Sequence, residues 1–259
     1  MKRTLIPEKQ VLSETDGPFN LAANLTKRDV VFLDNVPHLY YNLKKRDKRY
    51  TSATTFMKSV LPQSDTIALD TFNRAQTNPN SDYVGLSVKE IEAIFNGLSE
   101  KGTFHHNELE LYFLDKKPAE PSTEFQIAID ALKNDPYLGK LIPLYTERVL
   151  YSDKLGLAGS ADIILLVPAG HPTLPEGSLV IGDWKFSRKV DGVSNGKAPS
   201  YSERGCITET QHMYNTKATK YELQLQIYAF LLEKVYQKTV SRLCNLIVHQ
   251  DGVLLRCYG

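Results

Sequence analysis

The hydrophobic and polar positions fall into blocks of two periods. Pro143 to Tyr151 alternates: Leu144, Thr146, Arg148 and Leu150 take one side, and Tyr145, Glu147, Val149 and Tyr151 the other. That period predicts a strand. Two apolar runs follow, Ile163 to Val167 and Leu179 to Ile181. Asp153 to Gly156 and the Gly/Pro-rich Ala169 to Gly177 punctuate them, so 143–186 reads as a three-stranded meander. Near the end, Ser241 to His249 and Val253 to Tyr258 flank Asp251-Gly252, the pattern of a β-hairpin.

Helical spacing occupies much of the rest. Ser52 or Thr54 can cap a helix carrying Phe56, Val60 and Leu61, and Asp65 to Ala75 suits a second short one. Leu86 to Leu98 opens on Ser87 with Glu90 three residues later, a capping box, and Val88, Ile91, Ile94 and Phe95 share a face. A separate helix is expected over Lys101 to Leu114, with Gly102 and Thr103 at its start and Leu109 and Phe113 as its buried stripe. Phe125 to Leu132 is another amphipathic segment. Lys220 to Gln237 has the strongest helical period, through Leu223, Ile227, Phe230, Leu231 and Val235.

Three stretches lack such order. Residues 1–35 have little periodicity, and Leu43 to Tyr50 is basic, with Lys44, Lys45, Arg46, Lys48 and Arg49 against Asp47. Together 1–49 is expected to form an N-terminal arm and basic lead-in, ahead of one domain over 50–259. Ser187 to Thr219 is polar and Gly/Ser-rich, and Arg188, Lys189, Lys197, Arg204 and Lys217 outnumber Asp191, Glu203 and Glu209. A structureless stretch of that length inside a domain suits a functional loop.

Composition narrows the class. At 259 residues, 42% hydrophobic and 24% charged, the chain has material for a sizeable core. A net charge of +1 means that any nucleic-acid surface must be a local patch. Cys206, Cys244 and Cys257 are odd in number and lack metal-site spacing, so no disulfide framework is expected. A reducing, intracellular compartment follows as the expectation: cytoplasm or host-cell interior, with nucleus and mitochondrion as alternatives. No apolar run is long enough to span a membrane, and Met1 to Asn20 lacks a signal-peptide core.

The chemistry lies where charge meets apolar strand. Asp162 opens one run, Asp183 closes the next, and Lys185 shares a face with Asp183 two residues on. Carboxylates placed near a sheet core are paired or bound to metal. His106 stands at the border of a predicted apolar face and stacks with Glu110. Two carboxylates, an imidazole and a lysine suit Mg²⁺ or Mn²⁺ and metal-assisted phosphoryl chemistry. A desolvated lysine near a cation is expected to have a lowered pKa, which permits a role as base. There is no P-loop, no Gly-x-Ser-x-Gly elbow and no His-Glu-x-x-His.

In order, Gly102-Thr103-Phe-His-His106-Asn-Glu-Leu-Glu110, Gly159-Ser-Ala-Asp162, Asp183-Trp-Lys185 and Gln224-Leu-Gln-Ile-Tyr228 resemble the RecB-type branch of the PD-(D/E)XK nuclease superfamily. The resemblance covers roughly 50–235. Ser52 to Thr55 is similar to the Ser-x-Thr-Thr start in members such as the mitochondrial genome maintenance exonuclease. It implies an α/β restriction-endonuclease-like core, a central mixed β-sheet flanked by helices. It also implies a metal site of His106, Asp162, Asp183 and the Trp184 carbonyl, with Lys185 catalytic and Glu147 matching a recurrent family glutamate. A metal-activated water would attack the phosphate with Lys185 assisting. Gln224 and Tyr228 would line the DNA side, and Ser52, Thr54, Arg188 and Lys189 would contact nucleic acid. Tyr201, His212 and Tyr214 offer stacking surfaces for unpaired bases. The four cysteines of iron–sulfur members and the fused helicase are both missing, so the resemblance implies a stand-alone DNA exonuclease acting on single strands or ends. RNA as substrate, a flap or junction endonuclease, and a catalytically silent DNA-binding module are the alternatives.

Overall fold

A computed structural model describes residues 30–33, 39–42, 48–61, 67–116, 118, 120–186, 208–213, 216–249 and 252–258. The predicted meander forms its centre: β4 (Ile142–Ser152), β5 (Leu157–Leu166) and β6 (Leu179–Phe186) run antiparallel in sequence. β7 (Val240–His249) lies parallel to β6, and β8 (Gly252–Tyr258) returns antiparallel along β7, as the hairpin signal predicts. On the other side, β1 (Val30–Leu33), β2 (Leu39–Asn42) and β3 (Arg49–Ser52) form an antiparallel ribbon. The ribbon joins by a short parallel pairing of Thr51 and Ser52 with Leu157 and Ala158. The result is one mixed eight-stranded sheet in an α/β fold.

Helices cover both faces. On one, α3 (Val88–Phe113) and α4 (Thr123–Asn134) pack Leu109, Phe125, Ala128 and Ile129 onto Ile163, Leu165, Trp184, Leu246 and Val248. On the other, α1 (Ala53–Val60) and α5 (Lys217–Lys234) pack Ala53, Met57, Leu225, Ile227 and Leu231 onto Leu150, Ala161, Ile164, Leu179 and Ile181. α2 (Ile67–Thr77) lies against α3. α5 lies within the crossover that two parallel strands require between β6 and β7.

Several elements differ from expectation. Residues 30–33 and 39–42 are sheet strands, so the arm expected over 1–49 becomes part of the sheet there. Tyr40 is buried against Tyr50, Tyr151 and Ala158. The basic turn at 43–47, residues 187–207 and residues 1–29 lie outside the described residues. The two helices expected over 86–98 and 101–114 are one 26-residue helix, α3. A helical glycine costs only about 1 kcal/mol, which packing over this length exceeds. Thr103 turns its hydroxyl back to the Ser99 carbonyl. Phe230 is exposed while Leu225 and Leu232 are buried, because α5 rests on the sheet along a face shifted from the predicted one. Cys244 and Cys257 stand opposite each other in the β7–β8 ladder and form a disulfide. Cysteine number and spacing had argued against one; the hairpin register supplies the proximity that linear spacing does not show.

Candidate metal centre

The β5–β6 ladder ends at Ile163↔Gly182. Extending that register by one residue sets Asp162 opposite Asp183, at the point where the strands stop pairing. Gly182 permits the close approach just before the gap, because a Cβ there would lie 2.6 Å from Ile163 Cγ2. Instead of a ladder bond, the Trp184 backbone N–H donates to Asp162 Oδ2 at 2.8 Å. The Trp184 indole turns into the core and stacks on Phe113 of α3.

The other side of β5 carries a second irregularity. Glu147 on β4 falls opposite Asp162 but is left out of the β4–β5 pairing, with φ at +46°. A bulky residue in that region is strained, and such strain concentrates at functional sites. Thr146 Oγ1 donates to the Asp162 carbonyl, and Ser160 Oγ to Glu147 Oε2 at 3.1 Å.

Into this corner α3 delivers His106. Its Nδ1 lies 3.4 Å from Asp162 Oδ2 and 3.8 Å from Glu147 Oε1. One ligand atom from each of His106, Glu147 and Asp162 falls within 4.8 Å of the others. The helix is held in rotation one residue earlier. His105 is buried, and its Nδ1 lies 3.0 Å from both Glu108 Oε2 and Ser122 Oγ. Ser122 also caps α4 and donates through its backbone N–H to Glu108 Oε1.

Across the gap lie Asp183 and Lys185. Asp183 is fully buried, and Lys185 Nζ stands 2.7 Å from its Oδ2. Its Oδ1 has no hydrogen-bond partner among the described residues. Lys185 Nζ also reaches Gln224 Oε1 at 3.5 Å and sits 5.0 Å over the Tyr221 ring. Gln224 in turn donates to the Tyr228 hydroxyl at 2.9 Å. Tyr228 lies so close to β5 that a Cβ at Gly159 would meet its ring at 2.5 Å. This explains the glycine of the Gly159–Asp162 motif.

The electrostatics are those of a crowded carboxylate site. Burial pushes the Asp183 carboxyl up to about 6, Asp162 adding to the rise and Lys185 opposing it. Burial likewise raises Asp162, with His106 opposing and Glu147 reinforcing. For His106, burial favours the neutral ring, but Asp162 and Glu147 outweigh it and the pKa is raised. Lys185 follows the same logic: burial lowers it, and Asp183 and Asp162 more than compensate. The lowered lysine expected from desolvation is therefore not found without a cation; Lys185 is an ammonium.

The predicted site residues thus divide. His106, Asp162 and Glu147 come together; Asp183 faces the same gap but pairs with Lys185 instead of joining that cluster. Gln224 meets Lys185 as expected. Tyr228 is buried, so it acts on the gap only through Gln224. Ser52 is also buried, as the cap of α1, where its Oγ accepts from the Thr55 N–H. Thr54 lines a cavity of about 280 Å³ with Lys58, Lys220, Tyr221 and Gln224. Arg188, Lys189, Tyr201 and Tyr214 lie outside the described residues, and His212 is exposed. Sequence reasoning passed over Tyr221, one helical turn before Gln224, and Asn245, a lone amide inside the apolar run Leu243–Val248. The second could have been found: an amide in a central strand is out of place there.

The donor set is hard oxygen plus one imidazole, a match for Mg²⁺ or Mn²⁺. Asp183, buried with one oxygen on Lys185 and the other unpartnered among the described residues, is the kind of group a cation would satisfy. Among the described residues no helix is long and apolar enough to cross a membrane. No protein-family model matches the chain, and comparison with curated proteins finds no match.

Proposed function

We propose that this protein is a divalent-cation-dependent deoxyribonuclease of the RecB-type PD-(D/E)XK kind, an exonuclease acting on single strands or DNA ends. The observation that carries the reading is the pair Asp162 and Asp183 facing each other where β5 and β6 part. His106 and Glu147 stand on one side of that gap, and Lys185 with Gln224 on the other.

His106, Asp162 and Glu147 would hold the cation, with Asp183 turning toward it from across the gap. The Trp184 carbonyl leaves β6 on the same edge as the N–H that reaches Asp162, so it faces the gap as well. A bound Mg²⁺ or Mn²⁺ supplies phosphoryl polarisation, an acidified water and charge neutralisation at the leaving oxygen. The protein's own groups do the remainder. Lys185, an ammonium, offsets negative charge on the scissile phosphate. Gln224 accepts from Lys185 and restricts where its Nζ can lie. Tyr228, locked against Gly159, holds Gln224 in turn. Thr54, Lys58 and Lys220 around the adjoining cavity suit an approaching phosphate backbone.

End-labelled single- and double-stranded DNA, incubated with Mg²⁺ or Mn²⁺, tests the reading. Release of label is expected from wild type and not from Lys185→Ala. Equal behaviour of the two proteins would sink it. Covalently closed circles should survive; their cleavage would move the assignment to an endonuclease. RNA of the same sequence, run in parallel, reports the sugar preference.

A further inference from the structure

Asn245 sits in the middle of β7, paired in parallel register with Asp183 on β6. Paired residues of neighbouring strands project on one face, with the strands about 4.8 Å apart. Asn245 is 1% exposed, and both its Oδ1 and Nδ2 lack a hydrogen-bond partner among the described residues. So does Asp183 Oδ1, while its Oδ2 faces the Lys185 ammonium at 2.7 Å. Three buried polar atoms without partners among the described residues therefore lie side by side at the floor of the gap.

An unpaired buried amide costs free energy, and an apolar residue of the same shape would be cheaper in a central strand. The flanking residues are apolar: Leu243 and Ile247 share the strand's face with Asn245, and Cys244 and Leu246 take the other. The amide fits Asp183 chemically, because Nδ2 donates and a carboxylate accepts. A second cation between them fits less well. Glu147, Asp162 and Asp183 carry three negative charges; Lys185 and one divalent cation balance them, and another cation would leave the site positive.

Resting on the proposed cation site, we infer that Asn245 is a positioning residue for Asp183. Its amide N–H holds one carboxylate oxygen when Asp183 turns from Lys185, and so presents the other oxygen to the divalent cation.

Titration calorimetry of the full chain with MnCl₂, comparing wild type with Asn245→Leu, tests this. The expected result is a Kd for Mn²⁺ weakened about 10- to 100-fold. The metal-free Tm should be unchanged or raised, because the replacement removes an unpaired buried amide. In DNA cleavage, the Mn²⁺ concentration for half-maximal rate should rise by the same factor, while kcat recovers at saturating Mn²⁺. A Kd within twofold of wild type overturns the inference, whether or not Tm falls; a fall in Tm alone marks a purely structural amide. Wild type that binds no Mn²⁺ would remove the cation site and this inference together. Wild type that binds Mn²⁺ but cuts no DNA would remove the nuclease reading alone.

Discussion

Asp183 is the residue whose state governs the site. Its carboxyl is buried and pushed up to about 6 from an ordinary 3.8, a rise equivalent to about 3 kcal/mol. A raised acid favours the folded state only while protonated. In metal-free protein this contribution is fully present below pH 3.8 and lost as pH rises through about 6. Asp183→Asn should therefore raise the metal-free Tm at pH 8 while weakening Mn²⁺ binding, two opposite shifts readable by calorimetry on one sample. A proton and the proposed cation would compete for the same oxygens. Below about pH 6 the apparent Kd for Mn²⁺ should rise by about tenfold per pH unit for each proton displaced. A Kd flat between pH 5 and 7 would contradict that. Lys185→Ala should lower the cleavage rate by about 10²- to 10⁴-fold, the range of a positioned charged group, with the far-ultraviolet spectrum unchanged.

Two contacts between elements set the site's shape. α5 meets β5 through Tyr228 and Gly159, and the space for a methyl group there is occupied. Gly159→Ala should cost about 1–3 kcal/mol in denaturant unfolding and reduce cleavage further, because Tyr228 and then Gln224 must move. α3 meets α4 through His105, Glu108 and Ser122. Ser122→Ala removes the α4 cap and a donor to a buried carboxylate at once, with an expected loss of about 1–3 kcal/mol. Because α3 also carries His106, the same variant should weaken Mn²⁺ binding. A loss of stability with an unchanged Kd would show that α3 keeps its rotation without this contact.

For the molecule as a whole, the site joins parts that are distant in the chain: His106 from α3, Glu147 from β4, Asp162 from β5, Asp183 and Lys185 from β6, and Gln224 from α5. A cation bridging them should stabilise the entire fold. At about a hundredfold excess over Kd the gain is about 2.7 kcal/mol, or roughly 5 to 10 °C in Tm for a chain of this size. Thermal melts with MnCl₂, with EDTA, and with NaCl at matched ionic strength separate this gain from general screening. No rise with Mn²⁺ beyond the NaCl control would exclude a cation bound selectively by the native state.

The meander, the final hairpin and the capped helices were legible along the chain, because their signals are local: alternation at 143–151, Asp251-Gly252, and Ser87 with Glu90. The continuous α3 was not, since Gly102 weakens a helix locally and only packing decides whether it breaks. Asp162, Asp183 and Lys185 stood out as charges beside apolar strands, a property of the sequence itself. Their arrangement is tertiary. That the β5–β6 ladder ends one residue before the two acids depends on register. That Glu147 leaves its ladder to meet His106 depends on a backbone conformation which alternation does not predict. The raised pKa of Lys185 shows the same division: the lysine's position is written in the sequence, but its charge is set by carboxylates that only the folded sheet brings beside it.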